Sequence, residues 1–273
     1  MHGLKRYFPI PYLMIGLAAL AYLVLDLARE PSEPWATVGA IVAIAPLVTF
    51  MLSLAVVRRP RTSRNLYGVL ALAVAGTVLS FAFFASPASW FALVLGLVPA
   101  AGYVFWYSLL DRSAARGSLR VGATLPSFEL RGAAGQLIPQ DERNASLYMF
   151  VRGNWCPLCV AQVRELAAHY RDLEARGAEV FLISPQPENH TAALSKRFDA
   201  PMRFVVDRDA RIAKQLGIEH VGGVPFGVPG GYDSTSVLPT VIITDANRRI
   251  IFVDTTDNYR VRPEVSAFLE ALA

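Results

Sequence analysis

The two cysteines are the residues whose type and spacing most directly suggest chemistry. They occur as Cys156-Pro157-Leu158-Cys159, and no other cysteine is present among the 273 residues. In a CxxC pair the second sulfur can reach the first and resolve a mixed disulfide, and the attacking species is a thiolate. The motif therefore predicts a thiol redox site in which Cys156 and Cys159 are the catalytic residues.

Two other roles for a CxxC pair have to be weighed. A structural zinc site needs about four ligands, and the sequence offers no further cysteine and no nearby Cys/His pair. An inert structural disulfide stays open as an alternative, although the motif context favours a redox-active pair. We predict no metal and no cofactor at this site.

The sequence around the pair places it at the start of a helix. Leu147–Arg152 (LYMFVR) has the composition of a buried strand, and Pro157–Arg176 has a helical period that ends at Gly177. The partial positive charge and free N–H groups of a helix N-terminus stabilise a thiolate. Arg152 either adds to this effect or is an ordinary solvated arginine at the end of a strand.

The rest of the C-terminal half alternates between strands and helices. Gly222–Gly231 is too rich in glycine and proline for either element, and it predicts a mobile loop that borders the site. Ser127–Arg131 and Gln136–Pro139 look like a short hairpin. Further strands are expected at Glu179–Ser184, Arg203–Val206, Thr240–Thr244 and Arg249–Asp254, and further helices at Glu188–Phe198, Asp209–Leu216 and Pro263–Leu272. This order predicts an α/β fold with a central parallel or mixed sheet flanked by helices.

The N-terminal part differs in composition. The chain is 53% hydrophobic and only 18% charged, whereas an ordinary soluble domain has about 25% charged residues. The apolar excess lies in four runs of about 20 residues, the length that a helix needs to cross a bilayer. These runs are Pro9–Leu27, Trp35–Val57, Leu66–Ala85 and Trp90–Leu110. We therefore predict an all-α bundle of four transmembrane helices in residues 1–112, a linker over 113–122 and a redox domain over 123–273.

The basic residues next to these runs predict the orientation. Nine lie on one side of the predicted membrane and one, Arg29, lies on the other. The nine are Lys5, Arg6, Arg58, Arg59, Arg61, Arg64, Arg112, Arg116 and Arg120. The positive-inside rule then predicts an inner-membrane protein with both termini in the cytoplasm, where thiols are kept reduced. Because these arginines account for much of the net charge of +4, nucleic acid is not a predicted partner.

Three segments resemble the peroxiredoxin-like branch of the alkyl hydroperoxide reductase/thiol-specific antioxidant (AhpC/TSA, redoxin) superfamily. They are Val121–Phe128 (VGATLPSF), Gly153–Cys159 (GNWCPLC) and Asn258–Pro263 (NYRVRP). The resemblance covers residues 120–273 and implies a thioredoxin-like fold with thiol-dependent redox chemistry. It does not by itself choose between a peroxidase and a disulfide reductase.

The sequence departs from the peroxiredoxin pattern at two places. In the family's Pro-x-x-x-Thr-x-x-Cys loop, the threonine position falls on Cys156 and the peroxidatic position falls on Cys159. The stretch Val237–Thr240 also lacks the family's arginine before the late strand. Pro239-Thr240 instead resembles the cis-proline segment of thioredoxin, so we predict a cis Leu238–Pro239 bond. The alternative is a simple proline at the entry of the strand. The predicted substrate-binding residues are Trp155, Pro157, Leu238 and Pro239.

Three functions remain open from the sequence. In a membrane-anchored thiol–disulfide oxidoreductase, Cys156 attacks and Cys159 resolves. In a thiol peroxidase, Cys159 is oxidised to a sulfenic acid and Cys156 condenses with it. In a redox-sensing membrane scaffold, the thiols switch contact with a partner. The expected partners are a protein or small-molecule disulfide, or a peroxide, as substrate, together with an external thiol reductant and the lipid bilayer.

Overall fold

The computed structural model describes residues 2–29, 32–82, 85–115, 119–140 and 144–273. The chain divides into two compact units. The first, called the apolar unit here, comprises Tyr7–Val57 and Ser63–Leu109. The second, called the redox unit, comprises Leu110–Ala273 together with two short segments, Met1–Arg6 and Arg58–Thr62.

Helices are the regular secondary structure of the apolar unit within its described residues. Its elements follow a short first helix α1 (His2–Lys5); they are α2 (Pro9–Leu27), α3 (Pro34–Val56), α4 (Tyr67–Phe81), α5 (Pro87–Phe91) and α6 (Val98–Gly102), with π-helical turns at Ala92–Leu97 and Tyr103–Tyr107. Helices α3 and α4 approach closely where both carry glycine. A Cβ on Gly76 would lie only 2.4 Å from the backbone nitrogen of Ala43 and 2.5 Å from the carbonyl oxygen of Gly39. Small residues permit this backbone contact, as in packed membrane helices.

Helix lengths match the predicted membrane region only in part. Within the described residues, three helices are long and apolar enough to cross a membrane: Gly3–Leu27, Pro34–Val56 and Pro87–Tyr107. The third predicted run forms α4, which is apolar but has 15 residues. The C-terminal part of the predicted run Leu66–Ala85 includes residues 83–84, which lie outside the described residues. Length and composition alone therefore do not establish four spans.

Within its described residues the redox unit has seven strands, five of which form a mixed main sheet. The strands are β1 (Ala145–Phe150), β2 (Ala178–Ser184), β3 (Arg203–Val206), β4 (Glu219–His220), β5 (Ser236–Val237), β6 (Thr240–Thr244) and β7 (Ile250–Asp254). The main sheet has the order β3-β2-β1-β6-β7, and β4 and β5 form a separate two-stranded sheet. Strands β1, β2 and β3 are parallel, whereas β6 is antiparallel to β1 and to β7. The predicted α/β, thioredoxin-like fold is confirmed.

Helices flank this sheet, and its central strands are buried. The helices are α7 (Pro157–Ala168), α8 (Tyr170–Ala175), α9 (Glu188–Ser195), α10 (Arg211–Gln215) and α11 (Val265–Ala271). Five of the six β1 residues are buried, as expected for a strand covered on both faces. The largest core side chains include Tyr148, Phe150, Phe181, Ile183 and Ile242. This core fixes the end of β1, from which the cysteine loop leaves.

Several predicted elements are shorter than the sequence pattern suggested. The helix predicted over Pro157–Arg176 is interrupted at His169, whose φ of −105° and ψ of 14° are not helical. The predicted hairpin near Gly135 is reduced to one bridge, between Arg131 and Leu137. The apolar period continues through these places, but period alone does not report a local change of backbone angle.

Candidate redox site

The cysteine pair lies at the junction between β1 and α7. Cys156 immediately precedes the helix in an extended conformation, and Pro157 takes its first position. Proline is tolerated there because its missing N–H would have no helical partner. Both cysteines are free thiols; Cys156 is 2% exposed and Cys159 is 0% exposed. The predicted helix N-terminal position is confirmed, but both sulfurs are buried.

Arg262 brings a guanidinium group to the sulfurs. Its Nη2 atom lies 3.4 Å from Cys159 Sγ and 4.0 Å from Cys156 Sγ. The side chain is buried and held by two further donations, from Nη1 to Gln162 Oε1 at 2.8 Å and from Nε to the carbonyl of Tyr259 at 3.1 Å. The sequence analysis did not assign this residue a role. Its only signal was membership of the NYRVRP segment, which carried part of the family resemblance.

Arg152 contributes from the other side. Its backbone N–H points at Cys159 Sγ, with an N–S distance of 3.5 Å. The guanidinium stacks over the Trp155 ring at 4.7 Å and the Tyr259 ring at 5.4 Å, and it donates to the carbonyl of Gly223 at 2.5 Å. Arg152 is only 5% exposed. Of the two predicted roles, a solvated strand-end arginine is therefore excluded.

The contacts around the two cysteines shift the pKa values of their thiols in opposite directions. The hydrogen bond to Cys159 raises the pKa of Cys156 well above its ordinary value, and burial raises it further. Burial alone would also raise the pKa of Cys159. The hydrogen bond from Cys156, the charge of Arg262 and the N–H of Arg152 outweigh burial and hold the pKa of Cys159 well below its usual value. These contacts therefore favour the thiolate at Cys159 over the thiolate at Cys156.

Three buried N–H groups around Arg152 and Tyr259 lack a hydrogen-bond acceptor within the part of the chain that the structure describes. They are Arg152 Nε, Trp155 Nε1 and Asn258 Nδ2. A buried donor without an acceptor costs about 1–3 kcal/mol.

The predicted cis bond between Leu238 and Pro239 is wrong, because this bond is trans. The segment is held by hydrogen bonds along both sides of its backbone. Arg112 donates from Nη2 to the carbonyl of Pro239 at 2.5 Å and from Nη1 to Thr240 Oγ1 at 2.9 Å. The Leu238 N–H donates to the carbonyl of Ile218 at 2.8 Å. The trans form is the intrinsically favoured one, and this network is compatible with it.

The other predicted substrate-binding residues differ in exposure. Trp155 and Pro157 are half-buried at the start of α7. Leu238 and Pro239 are buried, and Leu238 packs in the sheet core. A role for Trp155 and Pro157 at the site stays a prediction, whereas the burial of Leu238 and Pro239 leaves little surface for a protein substrate.

The glycine- and proline-rich loop does border the site. Its Gly223 carbonyl accepts from Arg152, and its Gly230 carbonyl is bound by Nε2 of His190 at 2.6 Å. The carbonyl of His190 in turn accepts from Nδ2 of Asn154, two residues before Cys156, at 2.8 Å. The loop is therefore connected at both ends to the segment that carries the cysteines.

The chain is similar to one protein family and to several solved structures. Residues 121–253 match the AhpC/TSA family. Similar solved structures include peroxidoxin BcpB of Mycobacterium tuberculosis, with 19% identity over 56% of this chain and 96% of that one (TM-score 0.45). Reduced Prx3 of Vibrio vulnificus in complex with H2O2 shows 19% identity over 57% of this chain and 99% of that one (TM-score 0.48). Peroxiredoxin 5 of Alvinella pompejana shows 17% identity over 56% of this chain and 97% of that one (TM-score 0.46).

A search of curated protein sequences found no match. The family match covers the strands of the central sheet and the loop with both cysteines. Arg262 lies beyond the matched residues, in the segment that leads to the last helix. Residues 121–253 are therefore similar to the AhpC/TSA family, within a unit that has a thioredoxin-like fold. The apolar helices that precede them are consistent with a membrane region.

Proposed function

We propose that this chain is a membrane-anchored thiol peroxidase in which Cys159 is the peroxidatic cysteine and Cys156 resolves it. The observation that carries the proposal is the convergence of donors on one sulfur. The Arg262 guanidinium, the Arg152 N–H and the Cys156 thiol all favour the thiolate of Cys159. A thiolate is the species that attacks peroxide.

The alternative, attack by Cys156 on a protein disulfide, has less support. Cys156 is 2% exposed, so a disulfide in another protein would not reach its sulfur without movement of the loop. The raised pKa of Cys156 keeps it protonated, and the Leu238–Pro239 bond lacks the expected cis form. A hydroperoxide is small enough to enter a buried site, which favours the peroxidase.

The first chemical step oxidises Cys159. Its thiolate attacks one oxygen of the hydroperoxide; an S–O bond forms and the O–O bond breaks. The electron pair leaves on the second oxygen, which takes up a proton and departs as water or an alcohol. The guanidinium of Arg262 faces the sulfur at 3.4 Å and stabilises the negative charge that moves onto oxygen. Cys156 occupies the position of the family's threonine and takes over its role as a hydrogen-bond donor.

The second step closes a disulfide. The thiol of Cys156 condenses with the sulfenic acid of Cys159, which forms an S–S bond and releases water. Two thiols of an external reductant then regenerate both cysteines and are themselves oxidised to a disulfide. The two sulfurs are already hydrogen-bonded to each other in the reduced site, so resolution needs no large rearrangement.

We further propose a membrane region with four crossings and both termini in the cytoplasm. The membership of Arg58–Thr62 in the redox unit supports a location of this segment on the same side of the membrane as the cysteines, with an even number of crossings between residues 62 and 110. In this proposal Pro87–Tyr107, which is long enough to cross, and α4 both cross. The 15 residues of α4 span only about 22 Å. The excess of basic residues on this side supports a cytoplasmic location.

The test of the activity uses the full chain in detergent micelles. With an excess of dithiol reductant, we expect peroxide consumption with kcat/KM of about 10⁴ M⁻¹s⁻¹ or more, as for ordinary enzymes. The Cys159→Ser variant should be inactive. Slow peroxide consumption together with rapid reduction of insulin disulfides would instead establish the disulfide oxidoreductase. If neither reaction occurs, the redox-sensing scaffold becomes the leading hypothesis.

A further inference from the structure

A short basic segment from the N-terminal half contacts the redox site. Arg58–Thr62 lies between α3 and α4 in the sequence, but it belongs to the redox unit. Among its residues Arg61 makes the most directed contacts. Its side chain is 25% exposed, so most of it is buried.

Arg61 donates hydrogen bonds to the backbone carbonyls of two successive residues. Its Nε donates to the carbonyl of Arg262 at 3.2 Å, and its Nη2 donates to the carbonyl of Pro263 at 3.1 Å. The side chain of Arg262 is the one that faces Cys159 Sγ. Arg61 therefore fixes the main chain from which the thiolate's guanidinium partner extends.

Arg61 also holds the helix that carries the cysteines. Its Nη2 forms an ion pair with Oε2 of Glu165 at 2.5 Å. Glu165 lies on α7, six residues after Cys159. A single guanidinium thus connects the segment that carries Arg262 to the helix that carries the thiolate. These two elements set the distance between the Arg262 nitrogen and the sulfur.

A second pair of contacts reinforces this connection. The N–H of Thr62 donates to the carbonyl of Arg260 at 3.0 Å, and Nη1 of Arg260 donates back to Thr62 Oγ1 at 3.0 Å. Arg260 is completely buried. The segment between the two apolar helices is therefore attached to the Arg260–Pro263 stretch at two adjacent points.

We propose that Arg61 is a positioning residue, which holds Arg262 against Cys159 by joining the Arg262 main chain to Glu165 on α7. The segment between α3 and α4 thereby completes the redox site. A fragment that begins after the last apolar helix retains both cysteines but lacks Arg61 and its contacts with the Arg262 main chain and Glu165. The inference concerns the thiolate itself, so it holds whether that thiolate reacts with a peroxide or with a disulfide.

The experiment measures the pH dependence of Cys159 alkylation in the full-length protein in detergent micelles. Iodoacetamide is the probe, and peptide mass spectrometry identifies the modified cysteine. For Arg61→Gln we expect the alkylation midpoint of Cys159 to rise by about 0.5–1 pH unit, which corresponds to a displacement of Arg262 by about 1 Å. Arg59→Gln removes the same charge from an exposed position of the same segment, and its midpoint should be unchanged.

A second variant distinguishes positioning from simple charge. Glu165→Ala removes a negative charge near the site, which by direct electrostatics would lower the midpoint of Cys159. If Arg61 positions Arg262, the alkylation midpoint of Cys159 should instead rise, because Arg61 loses its partner on α7. Glu174→Ala, at an exposed position of α8, is the charge-matched control. If the alkylation midpoint of Cys159 falls or stays unchanged in Glu165→Ala, the proposal is overturned. This result decides the question even if Arg61→Gln fails to fold.

Discussion

The Nη2 atom of Arg262 lies 3.4 Å from the Sγ atom of Cys159, and both residues are buried. Charge–charge interactions are strong at such a distance when the surroundings are dry. The same nitrogen lies 4.0 Å from Cys156 Sγ. This asymmetry, together with the backbone N–H of Arg152, favours the thiolate at the second cysteine of the motif.

Removal of the guanidinium should therefore slow the reaction with peroxide. For Arg262→Gln we expect the second-order rate of Cys159 oxidation at neutral pH to fall by about 10²–10³-fold, as for the loss of one preorganised donor at a developing charge. Stopped-flow measurement of thiol loss checks this. Arg249→Gln, at an exposed position on the redox unit, is the control. An unchanged rate in Arg262→Gln would remove this residue from the site's chemistry.

The pH profile follows from the lowered pKa of Cys159. A depressed pKa means that the thiolate is already formed at pH values below about 8.5, the ordinary pKa of a cysteine. The wild-type oxidation rate should then be flat through neutral pH and fall only when the pH drops through the lowered pKa. In Arg262→Gln the rate should instead rise by about tenfold per pH unit up to the ordinary thiol range. Identical profiles for both proteins would contradict the assignment.

Cys156 should have two separable roles, as a hydrogen-bond donor and as the resolving thiol. Cys156→Thr places the family's threonine at this position and retains a donor, so initial oxidation of Cys159 should stay fast while no intramolecular disulfide forms. Cys156→Ala removes the donor as well. Its Cys159 pKa should rise by about 1–2 units, because a hydrogen bond to a charged group contributes about 1.5–3 kcal/mol. Dimedone labelling and thiol titration against pH measure the two effects.

The sequence predicted the parts of this site that depend on short-range pattern. The strand before Cys156, the helix that begins at Pro157 and the strand Thr240–Thr244 all follow from local periodicity and composition. Arg262 was not assigned because it lies 103 residues from Cys159 along the chain. Nothing in local spacing connects two residues that only the folded sheet brings together.

One prediction failed and another stays untested, for related reasons. The cis form of Leu238–Pro239 was inferred from a dipeptide, but isomer choice depends on tertiary contacts, here those of Arg112 and Ile218. The third apolar run is long enough for a full span, but its helix ends at Phe81. Residues 83–84 lie outside the described residues, so this span stays a prediction. Hydropathy reports which residues avoid water and does not report where a helix ends.

Packing of the apolar unit should depend on one glycine of α4 and not on another. Gly76→Ala would place a Cβ 2.4 Å from the Ala43 nitrogen, whereas nothing lies within 4 Å of a Cβ at Gly68. We expect Gly76→Ala to destabilise the unit by about 1–3 kcal/mol through overpacking. Gly68→Ala should be neutral or slightly stabilising, by up to about 1 kcal/mol, because alanine favours helix. Thermal unfolding in detergent compares them, and equal melting temperatures would contradict the close approach of α3 and α4.

The proposed orientation is open to a direct test in bacterial cells. Protease added to intact spheroplasts should leave the redox unit uncut, whereas protease added to inverted membrane vesicles should release it. Detection with an antibody against residues 144–273 distinguishes the two cases. Digestion in spheroplasts would place the cysteines outside the cytoplasm and would reverse the proposed topology.

The central claim, that Cys159 is the sulfur that reacts with peroxide, is tested most directly by a single-turnover experiment. Reduced full-length protein in micelles is mixed with one equivalent of hydrogen peroxide and quenched with dimedone within milliseconds, and the labelled cysteine is identified by peptide mass spectrometry. We expect the sulfenic acid on Cys159 first, followed by the Cys156–Cys159 disulfide. A first label on Cys156, or no label before general slow oxidation, would contradict the account.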